Sequence, residues 1–230
     1  MRFAICLILL VSVFSVQSQE KEDFVLIQNS EIIGYLTVVK DQQATINIDY
    51  FVDTNGRGPK IKEALVLNSE GYPIDWKIEG FSLFGAPVLE TYSWKNGQGN
   101  WFSQADHGTS HLPSTPLYIA NNSSPWSFGL YARALLKSDD RTLSALPPQS
   151  LLKLREIKKT TAGNGEIPIT LYAIIGTEDI NLIPAIVALD DNHKLFAHSN
   201  GRTILIRKGY ETEEKKLNTL FRSLEIERLQ

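Results

Sequence analysis

Residues 45–52 read Thr-Ile-Asn-Ile-Asp-Tyr-Phe-Val, and this short alternation points to the class of fold. Ile46, Ile48 and Tyr50 fall on one face of a strand, because successive side chains of a strand point to opposite sides. The residues between them are polar, so the other face is expected to meet water. This is the pattern of a half-buried antiparallel strand.

The same period of two continues on both sides of this stretch, from Phe24 to Trp101. β-Branched and aromatic residues alternate with polar ones between turn signals such as Asn55-Gly56 and Lys95-Asn96-Gly97. Glycine and asparagine suit such turns because they tolerate the positive φ that tight hairpins need. The pattern predicts a meander of about six antiparallel strands.

A loop rich in Gly, Ser, Thr and Pro is expected from Asp106 to Pro116, and the clearest helix follows from Ser124 to Lys137. Ser124 is predicted to be its N-cap, and Pro125 fits the first helical position, whose N–H would lack an intrahelical partner in any case. Apolar residues recur along the helix at spacings of three and four. One stripe of the helix should therefore cover a face of the sheet.

More strands and a second helix are predicted after residue 150. The turn signals at residues 190–193 separate two of these strands. The predicted strands are Leu151 to Thr161, Pro168 to Ile175, Ala185 to Leu189, Leu195 to His198 and Thr203 to Ile206. In the tail, helical spacing is shared by Leu217, Leu220, Phe221 and Leu224.

These elements predict a mainly β fold of the α+β type. We expect a curved antiparallel sheet, or open half-barrel, covered on its concave face by one helix and followed by a C-terminal helix. Residues 1–18 are predicted to be a signal peptide, because a positive charge at Arg2 precedes an apolar run that is too short to span a bilayer. Residues 19–212 would then form the β-rich accessory domain, and residues 213–230 a helix leading toward a missing or separate domain.

The expected leader and the composition restrict the classes of function. Export would place the chain in the periplasm or outside the cell, and cleavage would remove Cys6, the only cysteine. The chain of 230 residues is 43% hydrophobic, which is enough to form a packed core. Its formal net charge is −3, so nucleic acid is not expected as a partner. No integral membrane segment is expected after cleavage.

Catalytic and metal-binding motifs are not recognisable in this sequence. Asp106, His107 and His111 would be the best metal ligands, but a solvated polar loop is the favoured interpretation. We therefore expect no catalytic residue, no metal ligand and no cofactor in this chain. Whether it is an enzyme stays open on this ground.

A small set of residues could bind a ligand. Arg57 lies in a Gly- and Pro-rich segment that is either a fixed turn or a site for an anionic partner. The aromatic candidates are Trp76, Trp94, Trp126 and Tyr131. Core packing is the favoured explanation for the tryptophans, with Trp94 and Trp101 expected to pair across one hairpin. Phe81 and Phe84 are expected to join the aromatic candidates if an apolar ligand lies between sheet and helix.

Several motifs, in order along the chain, resemble the N-terminal region of secreted bacterial amidohydrolases. Arg207-Lys208-Gly209-Tyr210-Glu211 near the end fits the same pattern. The earlier motifs are Asn55-Gly56-Arg57-Gly58-Pro59-Lys60, Phe84-Gly85-Ala86-Pro87-Val88, Ser93-Trp94-Lys95-Asn96-Gly97, Ser103-Gln104-Ala105-Asp106, Ser124-Pro125-Trp126 and residues 129–137.

The resemblance implies a β-rich extension that precedes a metal-dependent (β/α)₈ hydrolase barrel. None of that family's metal ligands can be placed on this sequence, so a metal is expected only in an associated barrel. The resemblance therefore predicts an exported, non-catalytic accessory domain that packs on a hydrolase barrel, in the same chain or a separate one. The alternative is an exported carrier or binding module for a lipid or another apolar small molecule.

Overall fold

The structure is a computed structural model that describes residues 20–147, 149–176 and 185–228. The predicted signal peptide, with Cys6, lies outside the described residues. Within the described ranges, no helix is long and apolar enough to cross a membrane.

One sheet of fifteen strands dominates the fold. The first eight strands are β1 Lys21–Gln28, β2 Glu31–Lys40, β3 Ile46–Val52, β4 Lys60–Leu67, β5 Pro73–Phe81, β6 Pro87–Lys95, β7 Gln98–Phe102 and β8 His107–His111. The others are β9 Leu117–Tyr118, β10 Thr142–Leu146, β11 Ser150–Ala162, β12 Ile167–Gly176, β13 Ala185–Asp190, β14 Leu195–Ser199 and β15 Ile204–Arg207. The helices are α1 Trp126–Lys137 and α2 Glu214–Arg228.

The order of the strands brings the first strand and the last strand together in the middle of the sheet. Strands β8 to β1 follow one another, then β1 pairs with β15, and β15 to β9 continue on the other side. Every neighbouring pair is antiparallel except the short pairing of β9 with β10. The fold is mainly β, with one open curved sheet, a helix between β9 and β10 and a C-terminal helix after β15. This confirms the predicted fold class.

The predicted meander of about six strands contains seven between Lys21 and Phe102. The loop predicted after it is wrong. The loop expected at 106–116 contains β8, which pairs with β7 along its whole length. Its composition is typical of a loop, but Gly108 has a packing reason: a Cβ there would lie 2.5 Å from Cζ2 of Trp101, whose ring covers this backbone.

Helix α1 lies on the concave face of the sheet and completes the larger core. Its buried stripe includes Leu130, Tyr131, Ala134 and Leu135, as the helical spacing predicted. Gly129 makes the approach of helix and sheet possible, because a Cβ at this position would lie 2.9 Å from Cβ of Leu195 on β14.

The start of α1 differs from the expected side-chain cap. The Ser124 side chain makes no capping hydrogen bond to the helix. Its carbonyl oxygen accepts the first hydrogen bond from N–H of Ser127 at 3.1 Å, while its own N–H donates to Oε1 of Glu63 on β4 at 2.6 Å. Pro125 already has helical angles of φ −60° and ψ −11°. The backbone N–H of Ser124 therefore meets a buried carboxylate, and Pro125 begins the helical backbone.

Helix α2 covers the opposite, convex face of the strands at the centre of the sheet. Leu217 and Phe221 are fully buried there, Leu224 is nearly so, and Leu220 is partly buried beside them. The apolar side chains beneath come from β1, from β12 to β15 and from the end of β11. The other faces of β1 and of β12 to β15 contribute to the larger core under α1. These central strands are buried on both sides, which explains their nearly continuous apolar sequence.

Candidate functional site

A groove runs between α1 and the concave side of β1 to β4, and we call it the α1 groove. Its volume is about 280 Å³, close to the lower end of the range of about 300–1,000 Å³ that is usual for small-molecule sites. Its apolar lining comes from Val38, Ile46 and Leu67 on the sheet and from Trp126, Leu130 and Ala134 on α1.

Charged side chains surround this apolar floor. Lys40 from the end of β2, Lys137 from the end of α1 and the exposed His193 from the turn after β13 stand on its rim, and Glu20 and Glu70 line it as well. Nζ of Lys137 donates to the carbonyl oxygen of Glu70 at 3.2 Å. Among the described residues, neither Lys40 nor Lys137 forms an ion pair with a carboxylate. The mouth therefore carries both signs of charge, and its two lysines offer an anionic group a partner.

Glu22 on β1 fixes the wall of the groove. Its Oε2 accepts a hydrogen bond from Nε1 of Trp126 at 3.0 Å, and its Oε1 lies 4.0 Å from Nη1 of Arg133. The Arg133 guanidinium also lies over the indole of Trp126, 4.8 Å from the ring centroid. Burial lowers the pKa of Arg133 and Glu22 raises it, but an arginine remains a cation in either case. The indole is thus held in one orientation by a carboxylate on one side and a cation on the other.

Two buried carboxylates hold the segment that leads into α1. Glu63 accepts hydrogen bonds from Nε1 of Trp76 at 2.9 Å and from N–H of Ser124. Burial raises the pKa of Glu63 to about 7, although the hydrogen bonds from Ser124 and Trp76 lower it.

Glu90 on β6 binds the same segment with more partners. It accepts hydrogen bonds from the Tyr118 hydroxyl at 2.7 Å, from N–H of Asn121 and Asn122 at 2.9 Å each, and from Nδ2 of Asn122 at 2.9 Å. Buried polar groups are costly unless they are paired, and here each carboxylate satisfies backbone N–H groups that precede a helix. We assign both carboxylates a structural role.

The space enclosed by the curved sheet is filled by aromatic side chains beside these carboxylates. The rings of Tyr92 and Tyr118 stack with centroids 4.3 Å apart, and Trp76 meets Tyr118 edge to face at 6.2 Å. Tyr131 is buried, and its hydroxyl accepts a hydrogen bond from N–H of Ala120. The interior beside these carboxylates is therefore packed, and the α1 groove lies at its margin. A smaller cavity of about 140 Å³ remains between α1 and strands β11 to β13.

The structure separates the residues that the sequence suggested as ligand contacts. Trp126 lines the α1 groove and Tyr131 lines the smaller cavity on the other side of α1, whereas Trp76 lies within the packed interior. Trp94 is partly buried against the core. Arg57 is at the opposite end of β3 and β4, in an exposed turn.

Two expectations about aromatic residues are wrong. Phe81 and Phe84 do not lie between sheet and helix: Phe81 is exposed at the end of β5, and Phe84 is exposed in the turn that follows. Trp94 and Trp101 do not pair with each other: Trp94 is opposite Gly99, and Trp101 is opposite Tyr92. The register of the β6–β7 hairpin therefore places the two tryptophans at different cross-strand pairs.

Several groove residues were not found by sequence reasoning. Arg133 and Lys137 lie on the helical stripe of Trp126 and Leu130, so their spacing of three and four along α1 was a usable signal. Glu22 and Lys40 come from strands far away in sequence. Their position depends on the pairing of β1 with β2, and no local pattern indicates it.

The comparisons with known proteins give little. No protein-family model matches the chain, and no curated protein sequence matches it. Among solved structures, the chain is similar to the crystal structure of a β-barrel-like protein of the domain of unknown function DUF1849 from Brucella abortus. The two share 9% sequence identity, and the alignment covers 83% of this chain and 94% of that one with a TM-score of 0.46.

Proposed function

We propose that this chain is an exported binding or carrier protein for a small apolar molecule that ends in an anionic group. The observation that supports this most is the α1 groove, with its apolar floor and its two lysines that have no ion pair among the described residues. Such a site agrees with the general form of small-molecule pockets, which are concave and mostly apolar with a few polar groups that fix orientation.

The groove offers each part of such a ligand a contact. The apolar body would lie against the partly exposed Leu67 and the narrow accessible edges of the otherwise buried Trp126 and Leu130, and its anionic end would meet Lys40 and Lys137 at the rim. Trp126 is already held by Glu22 and Arg133, so little side-chain freedom would be lost on binding. The small volume favours a short chain, or a longer chain that is only partly enclosed.

The first experiment identifies a ligand without assuming one. Protein purified from its own compartment is examined by native mass spectrometry, and a carrier should retain a co-purifying small molecule. Ala134→Phe would place a large ring in the groove and should abolish that retention. Protein that never carries a small molecule, whatever its source, would contradict the proposal.

A second experiment tests the role of the rim cations with decanoate and decanol as probes. Replacing Lys40 and Lys137 with alanine should weaken decanoate binding about tenfold or more, since each tenfold corresponds to about 1.4 kcal/mol. Decanol binding should hardly change. The matched control replaces Lys153 and Lys158, two exposed lysines of β11, with alanine and should leave both affinities unchanged. Equal loss for both probes would refute the assignment of the anionic end.

The role implied by the amidohydrolase resemblance, an accessory domain on a (β/α)₈ hydrolase barrel, stays a prediction. Its expected contact surface was the apolar stripe of the tail helix. That stripe packs against this chain's own sheet, with Leu217 and Phe221 fully buried. A barrel would therefore need a different surface, and co-expression with a downstream coding region followed by size-exclusion chromatography would test for one.

A further inference from the structure

Two turns lie together at the end of the sheet that is remote from the α1 groove, and we call residues 54–57 and 82–85 the outer turns. The first connects β3 with β4 and the second connects β5 with β6. The groove meets β3 at Ile46, whereas Phe51 at the other end of β3 pairs with Lys60 beside the outer turns. The two regions are therefore independent in space.

The second outer turn carries apolar residues where turns usually carry polar ones. N–H of Gly85 donates to the carbonyl oxygen of Ser82 at 3.0 Å, so Leu83 and Phe84 occupy the two central positions. Gly, Pro, Asn, Asp and Ser dominate such positions. Leu83 is 50% exposed and Phe84 is 82% exposed. Phe81, at the end of β5, is 51% exposed beside them.

The first outer turn places a cation next to this apolar cluster. N–H of Thr54 donates to the carbonyl oxygen of Arg57 at 2.7 Å, and N–H of Arg57 donates back to Thr54 at 3.2 Å. Asn55 and Gly56 have φ of 56° and 78° between them, which is the left-handed conformation that this tight turn requires. The backbone at Arg57 is therefore fixed, and only its side chain has freedom.

Lys60 is a second cation of the same surface. In the sheet register it lies between Phe51 and Phe81, and its Nζ is 5.3 Å from the centroid of the Phe51 ring. Among the described residues, neither Arg57 nor Lys60 forms an ion pair with a carboxylate. The two cations and the apolar cluster border a shared cleft of about 520 Å³.

We infer that the outer turns dock on an anionic lipid surface. Leu83 and Phe84 enter the interface, Phe81 follows at its edge, and the long side chains of Arg57 and Lys60 reach the lipid phosphates. Long basic side chains commonly extend past apolar surface to a polar layer in this way. Charge complementarity favours this occupant, because anionic headgroups attract basic segments close to the membrane. The inference does not depend on a ligand in the α1 groove.

The experiment is co-sedimentation of the full chain with vesicles of two compositions. Vesicles of phosphatidylglycerol mixed with phosphatidylcholine should bind the protein, vesicles of phosphatidylcholine alone should bind it weakly, and added salt should weaken the binding. Leu83→Ser together with Phe84→Ser should reduce binding about tenfold or more, and Arg57→Glu should reduce it for the mixed vesicles. The matched control is Phe102→Ser, because Phe102 is 47% exposed on β7, outside the outer turns.

A second measurement reports whether the outer turn at residues 82–85 enters the lipid. Phe84→Trp should shift its emission to the blue on the mixed vesicles, and Phe102→Trp should not. Thermal unfolding of each variant verifies that the exposed substitutions leave the fold intact. Binding that is equal for wild type and the Leu83/Phe84 double variant would overturn the inference. A second outcome would also overturn it: wild-type protein that does not bind vesicles but forms a stable dimer, which the Leu83→Ser/Phe84→Ser variant dissociates. The turns would then bind a second copy of the chain.

Discussion

Glu63 and His198 should give the protein opposing dependences of stability on pH, and single substitutions should separate them. Glu63 is buried behind α1, and burial raises its pKa from 4.5 to about 7. His198 on β14 is buried beside Phe128, at 4.4 Å between ring centroids, and burial lowers its pKa from 6.5 to about 4. Both groups therefore favour their neutral form in the folded protein.

The sign of each contribution follows from which state binds more protons. Above pH 4.5 the unfolded chain loses the Glu63 proton before the folded chain does, so stability falls as pH rises toward about 7. The folded chain resists protonation of His198, so stability falls as pH drops from 6.5 toward about 4. Each shift is worth about 3 kcal/mol, because one pKa unit corresponds to about 1.4 kcal/mol. Over their shared range the two slopes nearly cancel.

The perturbations are Glu63→Gln and His198→Gln. In Glu63→Gln the amide NH₂ faces the N–H of either Trp76 or Ser124, so two hydrogen-bond donors meet. This lowers stability by an amount that does not change with pH. With the acid removed, stability should rise by about 3 kcal/mol more than in wild type between pH 4.5 and pH 7. In His198→Gln the glutamine amide can still donate to the carbonyl oxygen of Ile186. Stability should then fall as pH rises through the same range.

Urea unfolding followed by circular dichroism, repeated across this pH range, measures the free energy of unfolding for each variant. The matched controls are Glu79→Gln on the outer face of β5 and His111→Gln on β8, both at exposed positions. Each control should have a profile parallel to that of wild type. If the profile of Glu63→Gln is also parallel to wild type, Glu63 does not titrate in this range and the reasoning about its burial fails.

Other expectations follow from the packing and the absent motifs. Phe221→Asp should lower the free energy of unfolding by about 3 kcal/mol or more, because it buries an unpaired carboxylate under α2, and urea unfolding would detect it. Gly129→Val should be destabilising by about 1–3 kcal/mol despite the better helix former, because its Cβ would meet Leu195, and its midpoint should fall below that of wild type. Glu90→Leu should leave three N–H groups and the Tyr118 hydroxyl without an acceptor, so amide hydrogen exchange at Asn121 and Asn122 should accelerate. Purified protein assayed with added zinc or manganese should not hydrolyse amides, esters or lactones, and turnover that a chelator removes and metal restores would contradict this.

The sequence predicted those parts of the fold whose signals are local. Alternation at residues 45–52 corresponds to β3, and the spacing of Leu130, Tyr131, Ala134 and Leu135 corresponds to the buried stripe of α1. Strand β8 was missed because Gly108 is required by a ring from the neighbouring strand rather than by a turn. Such a reason is visible only after β7 and β8 have been paired.

The candidate site was less predictable, and for a similar reason. Trp126, Arg133 and Lys137 share one helical stripe, but their partners Glu22 and Lys40 arrive through pairing between strands. Alternation could have corrected one of the errors: Phe81 is an odd number of residues from Trp76 along β5, so the two side chains point to opposite faces. The inward orientation expected for Phe81 was thus incompatible with that of Trp76.

The pairing of β1 with β15 has a consequence for how the chain reaches its native state. Phe24 meets Arg207 and Ile27 meets Ile204, so the seam at the middle of the sheet joins segments separated by most of the polypeptide. Contacts of this kind stabilise the chain only after a large loop has closed, and the entropy lost in closing it slows folding. The β2 to β8 meander can form early from neighbouring hairpins. Strand β1 gains its second neighbour only when the last strand arrives, so closure of this seam is expected to be the late, rate-limiting event.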